Sequence, residues 1–209
     1  MDVTNVPVVT TVMGRGAVPT THPLYIGNLG MHGAYACNMA VNECDLLFSI
    51  GTRFNDRITG KLHSFAPNAQ IVHIDIDTAA ISKNVQVDVP IVADAKEAVT
   101  KMLEYVTPCE TGKWLDTIED WKAEHPLKMK KKPIMTPQDV IEAINRIFDE
   151  AIIVTDVGQH QMFTAQFIEI TEKKKLLMSG GLRRRWFSDE QSGTGNRSVG
   201  RTADYQLYL

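Results

Sequence analysis

Short runs of β-branched residues alternate with segments of helical spacing along most of this chain, and that alternation constrains the fold more than any other feature. The four runs in the first half lie at residues 6–11, 45–51, 69–77 and 87–94. Segments with apolar residues at helical spacing lie at 33–44 and 95–106. Because parallel strands are joined by crossover helices, the alternation predicts an α/β fold with a parallel sheet and helices on both of its faces.

The same alternation begins again in the last third of the chain. Thr136 is a candidate N-cap and Pro137 takes the first helical position, which predicts a helix over 136–148. A strand at 151–155 then leads into a glycine turn, and a further helix is predicted at 161–170. These elements indicate a second α/β domain.

A stretch without a regular apolar pattern separates the two patterned regions at about 110–133, where we place the domain boundary. Its lysine-rich end at 128–133 is interpreted as a solvated linker. A polybasic contact site is the alternative for these lysines.

Charge and hydropathy bear on the classes of function. A formal net charge of −3 at pH 7 provides no basic field for nucleic acid. No apolar run approaches the roughly 20 residues that span a bilayer, so we expect a soluble, cytoplasmic protein without membrane contact. The cysteines Cys37, Cys44 and Cys109 lack the spacing of zinc ligands and are predicted to be reduced packing residues.

Polar side chains follow three of the predicted strands at their carboxyl ends, where parallel sheets bind ligands. The loop after the second strand contains Gly51, Arg53, Asn55, Asp56 and Arg57. Asp75 and Asp94 follow the next two strands. Three such strand ends indicate a nucleotide or dinucleotide site. The alternatives are helix N-caps for the two aspartates and surface ion pairs for the two arginines.

Two glycine-containing turns offer further candidates. The glycine-rich loop at 26–36 carries Met31 and His32 and leads into a helix, whose N-terminus can hold an anion or a cofactor edge. Gln159 and His160 follow a buried strand in the second domain and could donate to a phosphate. A tight turn with an exposed histidine, or a histidine satisfied by backbone, is the alternative at each place.

Several motifs in a fixed order resemble those of one enzyme family. "LGMHG", "GTRFNDRITGK" and "GQHQM" follow one another as they do in the catalytic (large) subunit of acetolactate synthase, a thiamine-diphosphate-dependent enzyme. The resemblance extends over residues 6–182. It implies a central FAD-binding α/β domain at 1–108, a linker at 109–133 and the start of a thiamine-diphosphate-binding α/β domain at 134–182.

The resemblance also implies site residues. The expected FAD contacts are Leu29, Gly30, Met31, His32, Gly51, Thr52, Arg53, Asn55, Arg57, Ile58, Asp75, Ile76, Asp94 and Ala95. Asn55 stands where the family usually has aspartate. Met31, Asp56 and Arg57 are expected near the substrate channel, with Arg57 attracting the carboxylate of a 2-oxoacid. Gly158, Gln159 and His160 match positions that hold the phosphates of thiamine diphosphate.

The reaction implied by the resemblance condenses two pyruvates, or pyruvate and 2-oxobutyrate, to 2-acetohydroxyacids with release of CO2, a step of branched-chain amino acid biosynthesis. The implied partners are the 2-oxoacid substrates, a second catalytic subunit in a homodimer and a regulatory small subunit. Two alternatives stay open: a non-catalytic FAD- or nucleotide-binding module, and a sibling enzyme of the pyruvate oxidase, glyoxylate carboligase or oxalyl-CoA decarboxylase type.

The end of the sequence departs from the family. Residues 183–209 are rich in arginine and lack an apolar period, and Arg183, Arg184 and Arg185 replace small, hydroxyl and apolar residues beside the thiamine cofactor. The motifs that hold Mg²⁺ and the glutamate that activates the cofactor are also absent from this sequence. We interpret 183–209 as a frame-shifted or misassembled tail, or else a lineage-specific one, and expect no complete catalytic set and no activity from this chain alone.

Overall fold

The computed structural model describes residues 1–131 and 133–178, and the backbone of 206–208. The chain divides into two compact units: Met1–Thr11 with Leu29–Pro126, and Val12–Asn28 with Leu127–Leu209. Both contain parallel strands together with helices, which confirms the predicted α/β class.

The elements of the described residues are, in chain order, β1 (Val8–Thr10), β2 (Tyr25–Asn28), α1 (Tyr35–Glu43), β3 (Leu46–Ile50), α2 (Asp56–Thr59), β4 (Gln70–Asp75), β5 (Val89–Val92), α3 (Ala95–Met102), α4 (Gly112–Glu124), α5 (Pro137–Ile147), β6 (Ala151–Thr155), α6 (Gln159–Phe167), β7 (Lys174–Met178) and β8 (Gln206–Tyr208). The strands predicted in the first half correspond to β1, β3, β4 and β5. The β2, α2 and β7 segments were not predicted.

The sheet of the first unit has the order β3-β4-β5, with all strands parallel. The register pairs Ile50 with Ile74 and Asp75 with Val92, so the three strands end at the same edge. The ladder continues one residue further, because the Gly51 amide donates to the Ile74 carbonyl at 2.8 Å. This edge therefore presents the loops after β3, β4 and β5 side by side.

Two apolar clusters support that sheet. The first contains the buried side chains of Leu29, Val41 and Ala66, with partly buried neighbours that include Leu47. The second contains Phe54, Ile71 and Val87. Burying such side chains contributes about 1.5–3 kcal/mol each relative to exposure. The loop after β3 and the glycine-rich loop after β2 are therefore anchored, since Phe54 belongs to the first and Leu29 to the second.

Within the predicted linker at 109–133, residues 112–124 form α4 and pack against α1. Trp114, Ile118 and Trp121 lie on one side of this helix, where Ile118 is 1% exposed. The two indole rings meet edge to face at 5.6 Å. The spacing i, i+4, i+7 of these apolar residues was the helical signal that sequence reasoning missed.

The second unit contains a parallel sheet of order β7-β6-β8. Helix α5 begins as predicted: the Asp139 amide donates to the Thr136 hydroxyl, the Asp139 carboxylate accepts from the Thr136 amide, and Pro137 takes the first turn. The core of this unit contains Ile141 and Ile153 and is completed by Ile170.

Helix α6 starts and ends earlier than predicted. It begins at Gln159 and stops at Phe167, before Ile168 and Ile170, which are buried in the core. The Glu169 amide donates to the Asn145 side chain at 3.0 Å, so this backbone donor has a partner although the helix has ended. The predicted aberrant tail at 183–209 lies outside the described residues, except that the backbone of 206–208 pairs with β6.

Candidate functional site

The glycine-rich loop after β2 is fixed by its backbone. The Leu29 amide donates to the Thr10 carbonyl at 2.9 Å, and the Met31 amide donates to the Arg57 carbonyl at 2.8 Å. Gly30 adopts a φ of +102°, a conformation that favours glycine. The side chains of Met31 and His32 are exposed, Met31 by 62%. The loop therefore presents an apolar and an imidazole group from a rigid backbone.

A second glycine opens the loop after β3. Gly51 has a φ of +63°, and a Cβ added there would meet no atom within 4 Å. Thr52 is half-buried and Arg53 is exposed, while the Arg53 carbonyl accepts from the Asn84 side chain at 2.9 Å. The open space beside Gly51 allows a ligand to approach the backbone at this position.

The same loop continues into the short helix α2. The Asn55 carbonyl accepts from the amides of Ile58 and Thr59, while its side chain is exposed and makes no cap hydrogen bond. Asp56 and Arg57 are both exposed, with 3.7 Å between a carboxylate oxygen and Nε. Such an exposed pair contributes little to stability and can separate to meet a ligand.

Two loops predicted to bind the same ligand are thus in direct contact. A Cβ built on Gly30 would lie 2.5 Å from the Arg57 carbonyl oxygen and 3.3 Å from the Ile58 Cα. Only a residue without a side chain permits this approach. Met31 and Arg57, predicted near one substrate channel, are consequently joined by a backbone hydrogen bond.

Asp75, at the end of β4, is partly engaged within the protein. One carboxylate oxygen accepts from the Asp77 amide at 2.9 Å, and the other lies 3.8 Å from His73 Nε2. The following residue, Ile76, is 73% exposed. An acceptor and an apolar surface therefore stand next to each other at this strand end.

His73 is a residue that sequence reasoning did not select. Its side chain is 0% exposed and meets Phe54 edge to face at 5.1 Å. Burial lowers the pKa of this imidazole, and the Asp75 charge only partly opposes the shift. The ring is therefore neutral at physiological pH. Its position inside the largely buried strand motif "VHIDID" was the available signal.

Asp94 is the N-cap of α3, which was one of its two predicted roles. Its carboxylate accepts from the Lys96 amide at 2.9 Å and from the Glu97 amide at 3.1 Å through the same oxygen. Ala95 is the first residue of the helix. Because the capping bonds use Oδ1, the ligand role predicted for Asp94 and Ala95 stays a prediction that would use the other oxygen.

In the second unit Gly158 precedes α6, whose first two residues are Gln159 and His160. A Cβ on Gly158 would lie 2.8 Å from the His160 ring, so the glycine allows this imidazole to lie over the turn. Both Gln159 and His160 are exposed, and the helix has no side-chain N-cap bond. The N-terminal end of a helix carries a partial positive charge, which suits a phosphate group.

Two further observations concern metal binding and membrane-spanning helices. Among the residues described, no group of three or more His, Cys, Asp or Glu side chains is arranged to hold a metal ion. A helix long and apolar enough to cross a membrane is likewise not found in those residues.

Comparison with known proteins identifies the class. Residues 1–102 match the family model described as "thiamine pyrophosphate enzyme, central domain". Over 183 residues the chain is 44% identical to the acetolactate synthase large subunit of Cyanidium caldarium, an overlap of 84% of this chain and 31% of the relative. The resemblance inferred from the motifs is therefore confirmed.

Two other relatives extend that likeness. The probable acetolactate synthase large subunit of Methanocaldococcus jannaschii is 44% identical over 188 residues, 85% of this chain and 32% of the relative. Acetolactate synthase isozyme 3 large subunit of Escherichia coli (strain K12) is 42% identical over 187 residues, 85% of this chain and 33% of the relative. The chain spans about a third of the length of the curated relatives it matches.

Proposed function

We propose that the first unit carries an FAD site of an acetolactate synthase catalytic subunit. The observation that carries the proposal is the backbone contact between Gly30 and Arg57 at the carboxyl edge of one parallel sheet. Residues on both sides of that contact were predicted, from separate motifs, to bind one cofactor. Their convergence in space is what a single elongated ligand requires.

The residues at this edge fit FAD chemically. The open space beside Gly51 suits a diphosphate approaching the backbone, and exposed Arg53 supplies positive charge for it. Exposed Met31 and Ile76 offer apolar surface for an aromatic ring system. Asp75 retains acceptor capacity toward a hydroxyl group, because its carboxylate has more lone pairs than its observed partners use.

In the second unit we propose that Gly158, Gln159 and His160 hold the diphosphate of thiamine diphosphate in the complete enzyme. The uncapped start of α6 and the imidazole over the turn support this assignment. When bound, thiamine diphosphate supplies the electron sink for decarboxylation. The role proposed for this chain is to bind and orient the phosphates of that cofactor.

The activity proposed for the whole protein is condensation of two pyruvates, or of pyruvate and 2-oxobutyrate, with release of CO2. Arg57 would attract the 2-oxoacid carboxylate, beside Met31 and Asp56. A Mg²⁺ ion on the diphosphate, a homodimer, a regulatory small subunit and a cytoplasmic location belong to the same proposal. For this chain alone we expect no acetolactate formation, since Arg183, Arg184 and Arg185 stand where the sequence pattern of the family has small, hydroxyl and apolar residues.

The test is titration of the full 209-residue chain with FAD, followed by quenching of flavin fluorescence. We expect saturable binding, and about tenfold weaker binding for Arg53→Ala because an ionic contact with the diphosphate is lost. Lys101→Ala, which removes one exposed positive charge from α3, is the matched control and should bind like the wild type.

Two results would contradict the proposal. Absence of binding up to about 100 μM FAD would remove the flavin assignment altogether. Equal weakening by both charge changes would mean that the chain attracts anions without a defined site.

A further inference from the structure

The side chain of Asn38, near the start of α1, makes two hydrogen bonds with a single glycine. Its Oδ1 accepts from the Gly30 amide at 2.9 Å, and its Nδ2 donates to the Gly30 carbonyl at 3.2 Å. The Asn38 side chain therefore pairs with both the amide and the carbonyl group of Gly30. Asn38 is not among the residues proposed to contact a cofactor or a substrate.

The glycine it holds is the one that touches Arg57. Gly30 has a φ of +102°, and its Cα approaches the Arg57 carbonyl so closely that a Cβ would lie 2.5 Å from that oxygen. A flexible glycine loses more conformational freedom than other residues when it is fixed in such a place. The two hydrogen bonds from Asn38 offset part of that cost by selecting one orientation of the peptide.

Two further backbone hydrogen bonds also hold Gly30 and the residues next to it in place. The Gly33 amide donates to the Gly30 carbonyl at 2.8 Å, and the Met31 amide donates to Arg57. Together with Asn38 these bonds connect α1, the glycine-rich loop and the loop after β3. The direction in which Met31 and His32 leave the backbone is thereby fixed before any ligand arrives.

We propose that Asn38 is a positioning residue for flavin binding: it holds the Gly30 peptide in place, so that the glycine-rich loop and the Arg57 loop present one preformed surface to the cofactor. The flavin part of this inference rests on the proposed function. The positioning part concerns the ligand-free chain and is tested without a ligand. Preformed loops bind more tightly because less order has to be imposed on binding.

The experiment compares Asn38→Ala and Asn38→Asp with the wild-type chain and with Asn42→Ala. The aspartate keeps an acceptor for the Gly30 amide but loses the donor to its carbonyl. Asn42 lies one turn further along α1, where its amide donates to the exposed Glu43 carboxylate at 2.9 Å, so its removal is a matched control. Circular dichroism checks that each variant retains its helices.

The first measurement is amide hydrogen exchange in the absence of ligand. We expect exchange of the Gly30 and Met31 amides to rise about fivefold or more in Asn38→Ala, less in Asn38→Asp, and not at all in Asn42→Ala. Unchanged exchange in Asn38→Ala would overturn the inference.

The second measurement is FAD affinity by fluorescence quenching. We expect Asn38→Ala to bind about tenfold more weakly than the wild type, with partial recovery in Asn38→Asp. Faster exchange with unchanged affinity would overturn the ligand role of Asn38. If the wild type itself binds no FAD, the proposed function is wrong, and so is the flavin-binding part of this inference. The exchange data still decide whether Asn38 holds the loop.

Discussion

The carbonyl oxygen of Arg57 occupies the space that a side chain on Gly30 would need, since a Cβ there would lie 2.5 Å away. Gly30→Ala therefore has to separate the two loops as well as strain a φ of +102°. We expect a loss of about 2 kcal/mol or more in the free energy of unfolding, measured by urea denaturation.

Gly51→Ala provides the comparison, because Gly51 also has a positive φ but has open space around it. Only the backbone conformation is then strained, and we expect a loss of about 1 kcal/mol. If the two alanine variants are equally stable, the close approach of Arg57 to Gly30 does not exist in solution.

Helix α4 is expected to be an integral part of the first unit. Ile118 is 1% exposed, so Ile118→Ala should leave a cavity and lower the free energy of unfolding by about 2–5 kcal/mol. The T-shaped pair of Trp114 and Trp121 provides a local probe, since their fluorescence should change in the same transition. Asp116→Ala, on an exposed position of the helix, should have little effect. Full stability in Ile118→Ala would restore the linker interpretation of this segment.

The buried imidazole of His73 should make stability depend on pH on the acid side. Because burial lowers its pKa in the folded protein, the unfolded chain binds a proton more readily. The contribution to stability is complete above the ordinary pKa near 6.5 and is lost as the pH falls from there toward the lowered folded value. Urea denaturation between pH 7.5 and pH 5 measures this, at roughly half-unit steps.

His73→Gln should reduce the loss of stability between pH 7.5 and pH 5, because the amide does not titrate in this range. The exposed His63, on the short 3-10 helix at Leu62–Ser64, provides the control substitution His63→Gln. An acid limb as steep in His73→Gln as in the wild type would mean that other groups cause the loss.

The three cysteines should react with iodoacetamide at very different rates. Burial raises the pKa of the Cys44 thiol to about 11, with the Asp45 charge adding to the shift, so little thiolate exists at pH 8. Cys37 is buried, whereas Cys109 is exposed. Mass spectrometry should find Cys109 alkylated first, and all three modified after unfolding. Labelling of Cys44 as fast as Cys109 in the folded chain would contradict the raised pKa of the partly buried Cys44 thiol.

The sequence patterns predicted the strands better than the residues between them. Runs such as "DLLFSIG" could be recognised because strands of parallel sheets are continuously apolar, although Leu46 and Ile50 of this run are exposed. The helix after Thr136 could be recognised from its capping residues. Helix α4 was missed because its charged residues obscured three apolar positions. Cys109 was expected in the core and is exposed, since a lone cysteine gives no information about burial.

The candidate site could be predicted only as a set of strand ends. Gly51 and Asp75 were selected because parallel strands end at one edge. The contact of Gly30 with Arg57 and the hydrogen bonds of Asn38 could not be predicted, because they depend on how two loops cross in space. The capping role of Asp94 was one of two open interpretations, because a sequence does not show whether its carboxylate accepts from the first amides of α3.

The strands β3, β4 and β5 are neighbours along the chain as well as in the sheet. The register pairs Leu46 with Gln70 and Val72 with Val89, so each pairing closes a loop of only about 20 residues, at a small entropic cost. We therefore expect this sheet to be among the first structures to form. A chain emerging from the ribosome could assemble the edge that bears Gly51 and Asp75 while residues 127–209 are still being translated.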